Sequence, residues 1–328
     1  MAMTCGAAFL IRGGTGVGYC VAHYFVATIT HRDDQMHHKF LRAAATMAVI
    51  GGTVTLGFGS AQAALANPAP PTFVPCGTSL GTAISDADSG AVLALAPGCT
   101  YWLEAGLPVI NKTLTIVGHD SSVTRSYADD TPSFTIFTVH YDGDLTLDNV
   151  NVRNGDGNDN GGAISNVDGI VTISGGTFSD NHAADYGGAI YSDDGIGTVT
   201  INGATFKDNG AGAEGGAIFN DADATVTIHG GTFIGNRATG NGGAVYNDSD
   251  LTATHARFGW NAAEYGGAVY NDDGGTIGLT GGLIMFNRAA EADGGGGVYN
   301  ADGGSATVTG VMIMFNTPDE CSGTITGC

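Results

Sequence analysis

Two short motifs recur in phase along this chain, and their recurrence limits the fold more than any other feature. The first is GGA[I/V]xN: GGAISN (161–166), GGAIYS (187–192), GGAIFN (215–220), GGAVYN (242–247), GGAVYN (266–271) and GGGVYN (295–300). Its first glycines are 26, 28, 27, 24 and 29 residues apart. The second is FxxN: FSDN (178–181), FKDN (206–209), FIGN (233–236), FGWN (258–261), IMFN (284–287) and IMFN (313–316), its Asn residues 28, 27, 25, 26 and 29 apart. Ahead of it runs an alternating triplet: VTI at 171–173, 199–201 and 226–228, then TAT (252–254), GLT (278–280) and TVT (307–309).

One period contains short alternating pieces separated by Gly, Asn and Asp. Such alternation indicates strands, and the separators are turn formers. A single period cannot bury its apolar side alone, so it must stack on the next. The expected fold is all-β: a single-stranded right-handed parallel β-helix with three-strand rungs of about 27 residues, each rising about 4.8 Å. The repeat length excludes a nonapeptide calcium roll, and helical solenoids need helices that the pattern lacks.

Composition agrees. Glycine supplies 55 of 328 residues, without the every-third-residue period of collagen. Eleven basic residues against 32 acidic ones give a net charge of −21, which opposes binding to nucleic acid. A hydrophobic fraction of 43% suffices for a core.

The first 66 residues stand apart. Residues 36–66 have a basic start (Lys39, Arg42), an apolar run from Ala43 to Gly59 and an Ala61-Gln62-Ala63 cleavage pattern. This is the layout of a secretory signal peptide. Residues 1–35 then read as a misassigned start, not as fold, and their RGGTGVG run lacks the strand–helix context of a phosphate loop. Removing residues 1–63 leaves 7 basic and 30 acidic residues, 7 − 30 = −23, with no further membrane span expected. Cys76, Cys99, Cys321 and Cys328 remain, an even number suited to an exported chain. Three pairings are open. Local Cys76–Cys99 and Cys321–Cys328 bridges at opposite ends are expected. The mature chain, 67–328, divides into a cap and irregular rungs (73–155), regular repeats (156–316) and a terminal end (317–328).

Strand parity assigns directions. Val and Ile of VTI, Phe of FxxN and Ile or Val of GGA[I/V]xN should face inward. The FxxN asparagines should form a hydrogen-bonded column through the turns. The residue before the last Asn of GGA[I/V]xN should face outward, aligning Tyr191, Phe219, Tyr246, Tyr270 and Tyr299. This row reads either as a packing stripe that shields the sheet or as an exposed platform for sugar rings or a partner protein. Acidic turns follow: Asp193, Asp194, Asp221, Asp223, Asp248, Asp250, Asp272 and Asp273. Turn chemistry explains them, and Ca²⁺ could relieve their mutual repulsion. A third edge mixes signs, with His182, Arg237 and Arg288 near Asp185, Glu214, Glu264 and Asp293. No distinctive insertion interrupts the rungs, and the histidines lack zinc spacing.

The paired GGA[I/V] and FxxN motifs resemble the repeats of chlamydial polymorphic outer-membrane proteins and of other exported β-helix proteins. The resemblance covers 161–316. The segment VPCGTSLGTAISDADSGAVLALAPGCTYWL resembles the N-terminal cap of exported members, and NTPDECSGTITGC resembles their end. Only 12 residues follow Asn316, so an autotransporter barrel is not expected. The resemblance implies a secreted or cell-surface, non-catalytic, monomeric β-helix protein in contact with glycan or protein. The alternatives are a polysaccharide lyase or glycoside hydrolase acting on acidic glycans, and a structural surface spacer.

Overall fold

The computed structural model describes residues 49–50, 53–54, 70–193 and 195–328. The chain forms two units, 1–65 and 66–328. Of the first, only an antiparallel pairing of Val49–Ile50 with Thr53–Val54 is described. The expected misassigned start (1–35) therefore lies outside the described residues, as does nearly all of the expected signal peptide (36–66). Among the described residues, no helix is long and apolar enough to cross a membrane.

The second unit is a parallel β-solenoid of about nine turns. A regular rung consists of Thr198–Asn202, Thr205–Lys207, Gly210–Ala211 and Ile218–Asn220. It lies in one-to-one parallel register on the next, with Val199 opposite Val226, Phe206 opposite Phe233, Ala211 opposite Ala238 and Ile218 opposite Val245. Stacking makes three sheets, the largest taking two consecutive strands from every rung. Like residues meet because the period of the sequence equals the circumference of the coil.

The inward columns are closed. Phe178, Phe206, Phe233 and Phe258 stack at centroid distances of 5.0, 4.8 and 4.9 Å, all buried. Burying one such side chain is worth about 1.5–3 kcal/mol. Both cysteine pairs are bridged as expected, Cys76 with Cys99 and Cys321 with Cys328, at Cα separations of 5.8 and 6.4 Å.

The FxxN asparagines form a continuous ladder. Each Nδ2 donates to the Oδ1 of the Asn one rung on: Asn181 to Asn209 at 3.0 Å, then Asn209 to Asn236, Asn236 to Asn261, Asn261 to Asn287 and Asn287 to Asn316, each at 2.9 Å. The same Oδ1 accepts the backbone N–H of the Asn below it, as Asn236 Oδ1 does from Asn209 at 3.1 Å. The second Nδ2 hydrogen goes to a phenylalanine carbonyl, as from Asn236 to Phe206 at 3.0 Å. Every donor and acceptor of an interior amide is thereby used. The column ends where Asn316 Nδ2 donates to the Glu320 carboxylate at 2.6 Å.

A second ladder runs through the asparagines of GGA[I/V]xN. Asn220 donates to Asn247 at 2.8 Å, Asn247 to Asn271 at 2.8 Å and Asn271 to Asn300 at 2.7 Å. Ser192 interrupts it: Asn166 Nδ2 reaches Ser192 Oγ only at 3.5 Å. Among the described residues, the buried Oδ1 atoms of Asn166 and Asn220 have no hydrogen-bond partner.

The glycine pair has a steric cause. Gly187 and Gly215 have φ of 63° and 66°. A Cβ on the following Gly188 or Gly216 would enter the backbone of the next rung.

The front end differs from a plain rung. A short helix, Leu80–Asp86, starts at Ser79, whose side chain accepts from Thr82 N at 3.1 Å. Leu80 and Ile84, on one face, are buried. The Lys112 ammonium donates to the carbonyls of Ile84 and Ala87 at 2.7 and 2.5 Å, satisfying the helix end.

Candidate functional site

The outward aromatic row occupies one sheet, in which Tyr191 pairs with Phe219, Phe219 with Tyr246, Tyr246 with Tyr270 and Tyr270 with Tyr299. The rings stack on one another at 5.6, 4.7, 5.2 and 5.2 Å, within 25° of parallel. Tyr186 packs on Phe219 at 4.7 Å and Tyr265 on Tyr299 at 5.1 Å, both from the segment that precedes the glycine pair. As a result Tyr191, Phe219 and Tyr246 are only 8%, 6% and 7% exposed, while Tyr270 and Tyr299 are half-buried. The expectation of an exposed platform is corrected for the first three. They point away from the core but form a second small apolar cluster, with their faces turned to each other.

The acidic turns serve this row. Tyr191 Oη lies 2.9 Å from Asp193 and 2.8 Å from Asp221, and its single proton serves one carboxylate at a time. Tyr246 donates to Asp272. Burial first, and these carboxylates second, push the phenol pKa values of Tyr191 and Tyr246 far up. Glu214 lies beside the row and accepts from Asn241 Nδ2 at 3.1 Å. Burial raises its pKa, the Asn241 hydrogen bond partly offsets this, and Asp272 and Asp248 raise it further.

Asp248, another of the expected calcium ligands, is half-buried and acts on Glu214. Asp223, Asp250 and Asp273 are exposed, and Asp194 lies outside the described residues. Among the described residues, no group of three or more His, Cys, Asp or Glu side chains could hold a metal ion.

The mixed-sign edge forms a shallow groove of about 400 Å³. Its floor is Ala238, Ala262 and Ala263, and Arg237, Arg288, Glu264 and Glu291 stand around it. Arg237 and Arg288 lie two rungs apart, separated by Ala262. The opposite charges of this edge do not pair at the arginines: neither has an ion-pair partner within 4.0 Å among the described residues. His182 approaches Asp156 at 3.7 Å instead.

A further feature is absent from the sequence expectations. The residue before each ladder Asn sits on an outer corner. In the last three regular rungs that residue is Trp260, Phe286 and Phe315. Their rings stack at 4.7 and 5.4 Å, and they are 63%, 37% and 63% exposed. The signal was present in the variable positions of FxxN, which change from Ser-Asp and Lys-Asp to Gly-Trp and Met-Phe.

The Chlamydia polymorphic membrane protein repeat matches residues 175–193 and 230–248. Each match runs from the glycines ahead of FxxN through the next glycine pair and acidic turn, so it covers both ladder columns. These two matches and the parallel β-solenoid fit β-helix repeat proteins of the polymorphic-membrane-protein kind. No curated protein and no solved structure gives a match.

Proposed function

We propose that this is an exported or cell-surface protein that acts by binding rather than by catalysis, contacting a glycan or a protein through rows of side chains. The carrying observation is the one-to-one register of the rungs, which repeats each outward position along the axis. Such a surface offers rows of contacts to an extended partner. Two features support the binding role. Tyr191 shares its proton between Asp193 and Asp221, and Tyr246 donates to Asp272, which draws these inner carboxylates away from acid–base work. The repeats match those of a membrane protein, which supports a surface location. The test is an array of glycans and extracellular proteins, run beside an assay for sugar release. Retention of a partner without turnover is expected. Release of reducing or unsaturated sugars from pectin, alginate or hyaluronan would overturn it.

The groove at Arg237 and Arg288 favours a second reading, a lyase or hydrolase acting on acidic glycans. Two guanidiniums could hold a uronate carboxylate, and Glu264 or Glu291 could move a proton.

A further inference from the structure

All six corner residues of the FxxN turns have a left-handed backbone: Asp180 (φ 55°), Asp208 (52°), Gly235 (69°), Trp260 (61°), Phe286 (59°) and Phe315 (61°). Asp and Gly suit that conformation, whereas a bulky side chain there is an outlier. The first three rungs build the same turn with Asp, Asp and Gly, so the coil itself does not require aromatics. Three successive rungs nonetheless carry large rings there, and expose them.

Stacking decides which ring surfaces are accessible. Phe286 is covered on both faces, by Trp260 and by Phe315. Trp260 is covered by Phe286 on one face only. The stack stops at the rung below, because Gly235 has no side chain to continue it. The Asp208 carboxylate reaches from the next rung into the space that a Gly235 side chain would fill. Lys207 Nζ lies 3.5 Å from that carboxylate. This leaves a notch at the Gly235 corner, between the exposed Trp260 ring on one side and, on the other, the Asp208 carboxylate that enters the root of the missing side chain, with Lys207 beside it. It spans two rungs, about 9.6 Å between backbone levels. A six-membered ring stacked on Trp260 at an ordinary inter-ring distance of about 4.5–5.5 Å would take the place of the missing ladder member.

We infer that this notch binds one hexopyranose ring of an uncharged glycan, with the sugar's C–H face on Trp260 and its hydroxyls on Asp208 and Lys207. The site rests on the binding role proposed above and names its ligand class. The Asp208–Lys207 pair is neutral overall, and a chain of charge −21 repels anionic polymers, so an uncharged sugar fits best. The tyrosine row is more covered: Tyr191, Phe219 and Tyr246 are buried, and the end ring Tyr299 packs against both Tyr270 and Tyr265.

The test is affinity electrophoresis and calorimetry of the full chain against dextran, mannan, galactan and mixed-linkage β-glucan. At least one should bind, and binding should be unchanged between about 0.05 and 0.5 M salt. Trp260→Ala should weaken it at least about tenfold. Gly235→Phe should do the same, because its Cβ displaces the Asp208 carboxylate and its ring fills the notch, at a φ that Phe286 already has. Phe315→Ala, outside the notch, should retain binding. In a Trp102→Phe background, the glycan should shift the emission of Trp260. Circular dichroism and melting identify any variant that is unfolded. Absence of binding to every uncharged glycan overturns the site, as does binding that survives Trp260→Ala in folded protein. Binding lost in Tyr270→Ala or Arg237→Ala but kept in Trp260→Ala would uphold the binding role and overturn this location. Binding to uronates alone, abolished by salt, would move the ligand to the Arg237–Arg288 groove.

Discussion

Asn236 shows how much one amide can do. It accepts from the N–H and the amide of Asn209, and donates to Asn261 and to the Phe206 carbonyl. Leucine has the right size but leaves those groups buried and unpaired. Asn236→Leu should cost at least about 1–3 kcal/mol, read from urea denaturation, the range for an unsatisfied buried group. Ser192 offers the converse experiment. Ser192→Asn would supply a donor to the orphaned Asn220 Oδ1, and five other rungs already hold Asn at that position. A gain of about 1 kcal/mol in the same measurement is expected. Both ladders were legible in the sequence to different depths. The FxxN column followed from parity and the need to satisfy buried amides. The bond running through the GGA[I/V]xN column was not foreseen, although its inward direction was.

On the sheet that carries the tyrosines, the governing quantity is the charge held beside apolar rings. Glu214 has a raised pKa, so folding favours its protonated form. Its penalty is absent below the ordinary carboxyl range and grows as pH rises through that range to the folded-state value. Glu214→Gln keeps an oxygen for Asn241 and removes the charge. The variant should melt higher than the parent at pH 7 and converge with it near pH 4, with a neutral-pH gain of no more than about 1 kcal/mol given partial exposure. Tyr191→Phe tests the same sheet differently. It removes the proton between Asp193 and Asp221, and a loss of about 1–2 kcal/mol at neutral pH is expected from thermal melts. Alternation placed these tyrosines outward, but their covering could not be read from it. Tyr186 and Tyr265 sit in irregular segments, where no period reports which way a ring turns. The corner rings escaped for a related reason: two variable letters inside a motif hide a change from Asp to Trp. The helix Leu80–Asp86 had its local signals in Ser79 and the Leu80/Ile84 spacing, within a segment read only as a cap.

For the solenoid as a whole, stability is the sum of rungs and of contacts between neighbours, so its ends matter more than in a globular domain. The Cys76–Cys99 bridge closes a loop with a sequence separation of 23 at one end. Replacing both cysteines by Ser should lower stability by about 3 kcal/mol in the chain-entropy model. Proteolysis should then begin near residues 72–110 while the strand signal in circular dichroism persists. At the other end, Asn316 meets Glu320. In each amide of that column the Oδ1 faces back towards Asn181 and one N–H points on towards Asn316, so the C=O to N–H dipoles add, although the second N–H returns to a carbonyl of the rung behind. The solenoid has an electrical direction, and its positive pole emerges at the last asparagine. A fixed anion stands there, as an acidic side chain does at the start of an α-helix, so the aligned column terminates on a negative charge instead of in bulk solvent.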